Sequence, residues 1–159
     1  MRVAILTISD AGARGERADT SGDRIAAWVS ERGYVLAARD LVPDDVDLIA
    51  ERVAAWCDGR TADLVLTTGG TGLTLRDVTP EATARILERD VPGIAEAMRV
   101  SVLSRFPRAM LSRGRAGLRG RSLVVNLPGS PVGVQDGLAV LDQVVEHAVQ
   151  LIRGEQTDH

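Results

Sequence analysis

Apolar and polar positions follow two rhythms along this chain, and the changes between them outline its elements. Residues 3–8 form a continuous apolar run, the pattern of a strand buried on both faces. Residues 11–19 are rich in Gly, Arg and Ala and read as a loop. Thr20-Ser21-Gly22-Asp23 offers capping groups for a helix whose apolar face is Ile25, Ala26, Trp28 and Val29, ending at Gly33. Residues 34–42 predict a second strand. Pro43-Asp44-Asp45 opens a helix with Val46, Ile49, Val53, Ala54 and Trp56 on one side, and Asp44 is expected to cap it. Residues 63–67 predict a third strand, and Thr79-Pro80-Glu81 a helix start with Thr79 as the cap. A helix begins at Pro92, residues 107–121 fit no single pattern, residues 122–127 form another buried strand, and residues 132–153 read as one closing helix.

Short β-like runs alternating with helical ones predict an α/β fold with a mostly parallel sheet covered by helices. One domain over residues 1–154 is expected, with a frayed tail over 155–159 and no repeat or linker. In such sheets ligands bind beyond the carboxyl ends of the strands. Three strands here run into unusual loops: Ile8-Ser9-Asp10, Thr68-Gly69-Gly70-Thr71-Gly72 and Asn126-Leu127-Pro128-Gly129-Ser130. Glycines interleaved with hydroxyls suit either a tight turn or a nest of amides around an anion.

Composition narrows the chemistry. All 19 Lys+Arg cations of the 159 residues are arginine. Without lysine there is no Schiff base, hence no pyridoxal phosphate, and no GxxxxGK[ST] phosphate loop. One cysteine, Cys57, and two histidines leave no zinc centre, and no haem is expected. Cys57, Trp28 and Trp56 read as packing residues. The net charge of −3 with scattered arginines argues against a nucleic-acid partner. Apolar runs fall far short of the ~20 residues that span a bilayer, and no charged-then-apolar leader opens the chain. A soluble, cytoplasmic protein without a membrane partner is expected.

The glycine loop and its continuation Arg76-Asp77-Val78-Thr79-Pro80-Glu81-Ala82-Thr83 resemble the signature of the MogA/MoaB family of molybdenum-cofactor biosynthesis proteins. Asn126-Leu127-Pro128-Gly129-Ser130-Pro131 resembles the second motif of that family. Ile8-Ser9-Asp10 and Asp19-Thr20-Ser21-Gly22 fit as well. The resemblance implies a three-layer α/β fold and a homotrimer or hexamer. It also implies a molybdopterin adenylyltransferase, which moves AMP from Mg-ATP to the terminal phosphate of molybdopterin and releases pyrophosphate. The product passes to a molybdenum-inserting protein. A non-catalytic molybdopterin-binding or assembly protein is the alternative, and the intact Arg76–Glu81 motif favours activity.

By motif matching, Asp77 takes the place of the key acid after the glycine loop, and Asp44 matches a second functional carboxylate, with Asp45 next to it as an alternative. The phosphate nucleophile has a second pKa near 6 and is ionised at neutral pH, so no general base is needed. Asp77 and Asp44 are therefore expected to hold Mg²⁺. Gly69, Gly70, Thr71, Gly72, Arg76, Pro128, Gly129 and Ser130 are expected around the pterin and its phosphate, and Ser9, Asp10, Ser21 and Gly22 around the nucleotide. Pro131-Val132-Gly133 lacks the basic residue many relatives carry there, which leaves Arg76 or Arg113 to contact phosphate.

Overall fold

The computed structural model describes residues 1–155. Of the tail expected over 155–159, only Glu155 falls within them, its amide bonded to the Gln150 carbonyl; the rest lies outside the described residues. The chain runs β1 (Arg2–Ile8), α1 (Asp10–Ala13), α2 (Thr20–Glu31), β2 (Val35–Val42), α3 (Val46–Asp58) and β3 (Leu64–Thr68). It continues through α4 (Thr79–Ile86), β4 (Arg89–Asp90), α5 (Pro92–Val100) and a 3₁₀ turn (Pro107–Leu111). β5 (Ala116–Arg119), β6 (Ser122–Leu127), α6 (Pro131–Leu141) and α7 (Val145–Arg153) complete it.

The six strands lie in the order β2-β1-β3-β6-β5-β4. The first four are parallel, and β5 and β4 pair antiparallel at the far edge. The apolar runs explain the layering. In β1, Val3 and Ile5 face α2, α6 and α7, while Ala4, Leu6 and Ile8 face α3 and α4. β3 and β6 alternate in the same way, Leu64, Leu66, Leu123 and Val125 on the first side and Val65 and Val124 on the second. Both faces are covered, so these strands carry no polar side. Trp28 packs in the first core, and Trp56 and Cys57 in the second. Burial pushes the Cys57 thiol up to about 11, which keeps it protonated and unreactive.

Register sets the working edge. Thr7 pairs with Thr68, and Thr68 with Leu127, so the three central strands end in one row. From β1 the chain crosses one face to β2 and then returns over the other face to β3. The order therefore reverses between β1 and β3, where an open α/β sheet splays its loops apart.

Four local expectations are corrected. The 11–19 loop begins as the short helix α1, because the Ser9 hydroxyl accepts the Gly12 amide and caps it. Asp45, not Asp44, caps α3 by accepting the Leu48 amide at 3.0 Å. Thr79 is not a cap, since its hydroxyl donates to the Gly69 carbonyl at 2.8 Å instead. The closing helix breaks at residues 142–144 because Asp142 is drawn to α2, where Trp28 Nε1 and Arg32 Nε donate to its carboxylate at 2.9 and 2.8 Å. The unassigned 107–121 stretch supplies the 3₁₀ turn and β5.

Candidate active site

Three loops at the carboxyl ends of the strands close around two pockets. The glycine loop comes first because its backbone is the most constrained. Gly69 and Gly70 adopt φ of 97° and 69°, a region costly for any residue with a Cβ. A Cβ on Gly69 would stand 2.3 Å from the Ile8 carbonyl oxygen, and one on Gly70 2.3 Å from the Thr79 hydroxyl. Only glycine lets this loop pass so close to β1 and α4. Thr79 then pins it twice, its amide donating to the Gly70 carbonyl at 3.1 Å and its hydroxyl to that of Gly69.

The Asn126–Ser130 loop is tied on from two sides. The Thr68 hydroxyl donates to the Pro128 carbonyl at 2.6 Å, and the Ser21 hydroxyl to that of Gly129 at 2.7 Å. Below it, Asn126 is fully used: its Oδ1 accepts the Arg115 amide, and its Nδ2 donates to Thr67 and Thr83. The Ser130 hydroxyl accepts the Gly133 amide and caps α6.

Asp44 and Asp10 form a reciprocal clip between the loops after β2 and β1. The Asp10 amide donates to Asp44 Oδ2, and the Asp44 amide to Asp10 Oδ1, both at 3.0 Å. Arg76 grips the clip with Nε and Nη2 on the Asp10 carboxylate, at 2.9 and 3.0 Å, and Nη2 also donates to the Asp44 carbonyl at 2.9 Å. That guanidinium holds the Asp10 carboxyl below its ordinary range. Asp44 moves the other way: burial raises its pKa against the Asp10 amide bond, and the charges of Asp10 and Asp77 add to the rise. Asp77 Oδ2 accepts the Thr74 amide at 2.9 Å and the Thr74 hydroxyl at 2.8 Å.

Asp44 and Asp77 line a polar pocket of about 520 Å³ together with Ser9, Ser21, Gly69, Gly70, Gly129 and Ser130. Eight of the residues singled out from the sequence thus meet in one place. A second pocket, about 740 Å³ and mostly apolar, opens between α5, the 3₁₀ turn and α6. Thr71, Gly72, Pro128 and Ser130 line it from the site loops, and Met98, Val102, Phe106 and Val132 add apolar surface. Ser130 belongs to both pockets.

Asp10, Gly22 and Arg76 line neither. Asp10 and Arg76 hold the loops, and the Gly22 amide is spent on the α2 cap, Asp19. Arg113 is likewise a clamp: it donates to the carbonyls of Gly72 and Asp77 at 2.8 Å and pairs with Glu81. Sequence reasoning missed Arg17, which lines the polar pocket and has no ion-pair partner among the described residues. It also missed the apolar pocket, to which the unassigned 107–121 segment contributes Arg108, Ala109, Leu111, Ser112 and Gly114.

Among the described residues, no cluster of three or more His, Cys, Asp or Glu could hold a metal. The pair does fit a cation shared with phosphates. Among the described residues, Asp44 Oδ1 and Asp77 Oδ1 receive no hydrogen bond, and the charge of Asp77 raises the cost of ionising Asp44. Mg²⁺ needs only one or two carboxylates when water and phosphate complete its shell.

A family profile described as a probable molybdopterin binding domain matches residues 4–147. The chain belongs to that family. A Helicobacter pylori relative of the family named molybdopterin adenylyltransferase is 39% identical over 158 residues, 97% of this chain and 89% of its own. An Escherichia coli protein of the same name is 36% identical over 87% of this chain and 72% of its own. The crystal structure of a molybdopterin biosynthesis enzyme, MoaB, from Thermus thermophilus superposes with a TM-score of 0.91 at 48% identity, covering 99% of each chain. The family fold accounts for the mostly parallel sheet with flanking helices.

Proposed function

We propose that this protein is a molybdopterin adenylyltransferase, transferring AMP from Mg-ATP to the terminal phosphate of molybdopterin with release of pyrophosphate. The observation that carries the reading is the pairing of pockets across Ser130, a polar one lined by Asp19, Asp44 and Asp77 beside an apolar one able to take a flat ring. Family members named molybdopterin adenylyltransferase support it.

The pterin phosphate is dianionic near neutral pH, with a second pKa near 6, so it needs placement rather than deprotonation. The barrier is electrostatic: one anion attacks another while charge moves to the leaving pyrophosphate. Gly69 and Gly70, bare of side chains, let a phosphoryl group approach the loop backbone. Asp44 and Asp77 would hold Mg²⁺, which supplies charge neutralisation for the triphosphate when bound. Arg17 is the cation left for phosphate contact, since Arg76 and Arg113 are occupied by loop clamps. Assembly as a homotrimer, transfer to a molybdenum-inserting protein and a cytoplasmic setting belong to the same proposal. Exposed Val35 and Leu36 on the outer strand β2 offer an apolar edge for subunit contact. Light scattering of the eluted protein should report about three chains.

Incubation with molybdopterin, Mg²⁺ and α-labelled ATP tests the reaction. Pterin-dependent pyrophosphate release with label moving to the pterin is expected. Retention of pterin without any release would establish the non-catalytic binder instead.

A further inference from the structure

Among the described residues lining the apolar pocket, Thr71, Arg108 and Asp136 keep hydrogen-bonding capacity, and Asp136 alone is a pure acceptor. Asn126 has its carbonyl and both amide protons engaged, and the Ser130 hydroxyl oxygen is taken by the Gly133 amide. Arg99 spends Nη1 on the carbonyls of Ser112 and Gly114, at 3.3 and 3.1 Å. Asp136, on α6, is the one carboxylate among the lining residues. Its Oδ1 accepts Arg105 Nη2 at 2.6 Å, and its Oδ2 receives no hydrogen bond among the described residues. A carboxylate is thus held in place on an apolar wall with one oxygen unused. Its partner Arg105 lines the same pocket.

The geometry points to Asp136 as the residue that reads the 2-amino-4-oxopyrimidine edge of the pterin ring. This rests on the assignment of the apolar pocket to the pterin. That edge carries two adjacent N–H donors, on the 2-amino group and N3, and a carboxylate is the acceptor-only group that matches such a pair. Arg105 keeps the carboxylate oriented. Met98, Val102, Phe106 and Val132 supply the apolar surface on which a flat ring lies. A ring with a carbonyl in place of the amino group would set oxygen against carboxylate and be disfavoured.

The test titrates pterin and 2,4-dioxopteridine, which lacks the amino donor, by fluorescence quenching against the whole protein. The wild type should favour pterin about tenfold or more, the scale of a charge-assisted pair. Asp136→Asn should weaken pterin about tenfold and erase the preference, with the melting temperature and the KM for ATP unmoved. Asp136→Glu should restore part of the preference. A preference for pterin that survives in Asp136→Asn overturns the inference, as does a wild type that binds both rings equally. In either case the transferase reading stands if pterin-dependent pyrophosphate release is seen with the wild type, and falls separately if it is not.

Discussion

The two ends of the strands treat carboxylates in opposite ways. At the amino end, Asp63 is buried and gripped from two sides: Arg2 donates to it from its amide and guanidinium, and Arg153 Nη2 stands at 2.6 Å. Burial alone would raise its pKa, but the two arginines overcome that and hold it down at about 2. At the carboxyl end, burial raises the pKa of Asp44, the charges of Asp10 and Asp77 add to the rise, and the single Asp10 amide bonded to it does not offset them. Arg76 is near, yet its carboxylate contacts go to Asp10. One carboxylate is neutralised within the protein and stabilises it; the other is left short of positive charge, at a cost to the fold. The difference shows where a cation from solution is expected.

The sharpest way to break this contrast is at Asp77. Asp77→Asn should lower adenylyl transfer about 10²–10³-fold, while pterin binding and melting stay near wild type. Near-normal turnover at saturating Mg²⁺ would remove its proposed role. Next comes stability. Asp63→Asn should cost about 2 kcal/mol near pH 7, measured by urea unfolding, with activity retained. Because the folded pKa of Asp63 is depressed, its contribution is full above its unfolded value of about 3.8 and fades as pH falls toward about 2. The variant should flatten that acid limb. Asp44 has the opposite sign: its raised pKa means that ionisation works against folding as pH rises through the folded value. Asp44→Asn should therefore be no less stable than wild type at pH 7 while losing activity. The smallest effect separates the two adjacent acids. Asp45→Ala should lose the α3 cap, about 1 kcal/mol, with transfer preserved.

Much of this frame was legible in the chain. β1, β3 and β6 announce themselves as apolar runs because they are covered on both faces, and their glycine and proline punctuation locates the loops. The motifs brought Asp44, Asp77, Gly69, Gly70 and Ser130 to one pocket. Other features depend on partners far along the chain, which local pattern cannot show. The break between α6 and α7 is set by Trp28 and Arg32, more than a hundred residues away. Asp44 and Asp45 are both plausible caps by spacing, and the Asp10 amide decides which one turns toward the pocket. The carbonyls and carboxylates that Arg76 and Arg113 hold lie on loops far along the chain, so their part as loop clamps is not visible in the motif. β5 is short and lies antiparallel near an edge, so residues 107–121 show neither rhythm.

Ser130 gives the site a measure of length. Its peptide stands in both pockets, and it is fixed by the α6 cap on one side and by the ties of Thr68 and Ser21 to Pro128 and Gly129 on the other. A ligand whose ring and phosphate are spaced to straddle this ridge fills both chambers at once. One with a shorter or longer tether gains only a single chamber's worth of contact. On the proposed reading, the enzyme selects by gauge as well as by chemistry, and a rigid ridge needs no moving lid to do it.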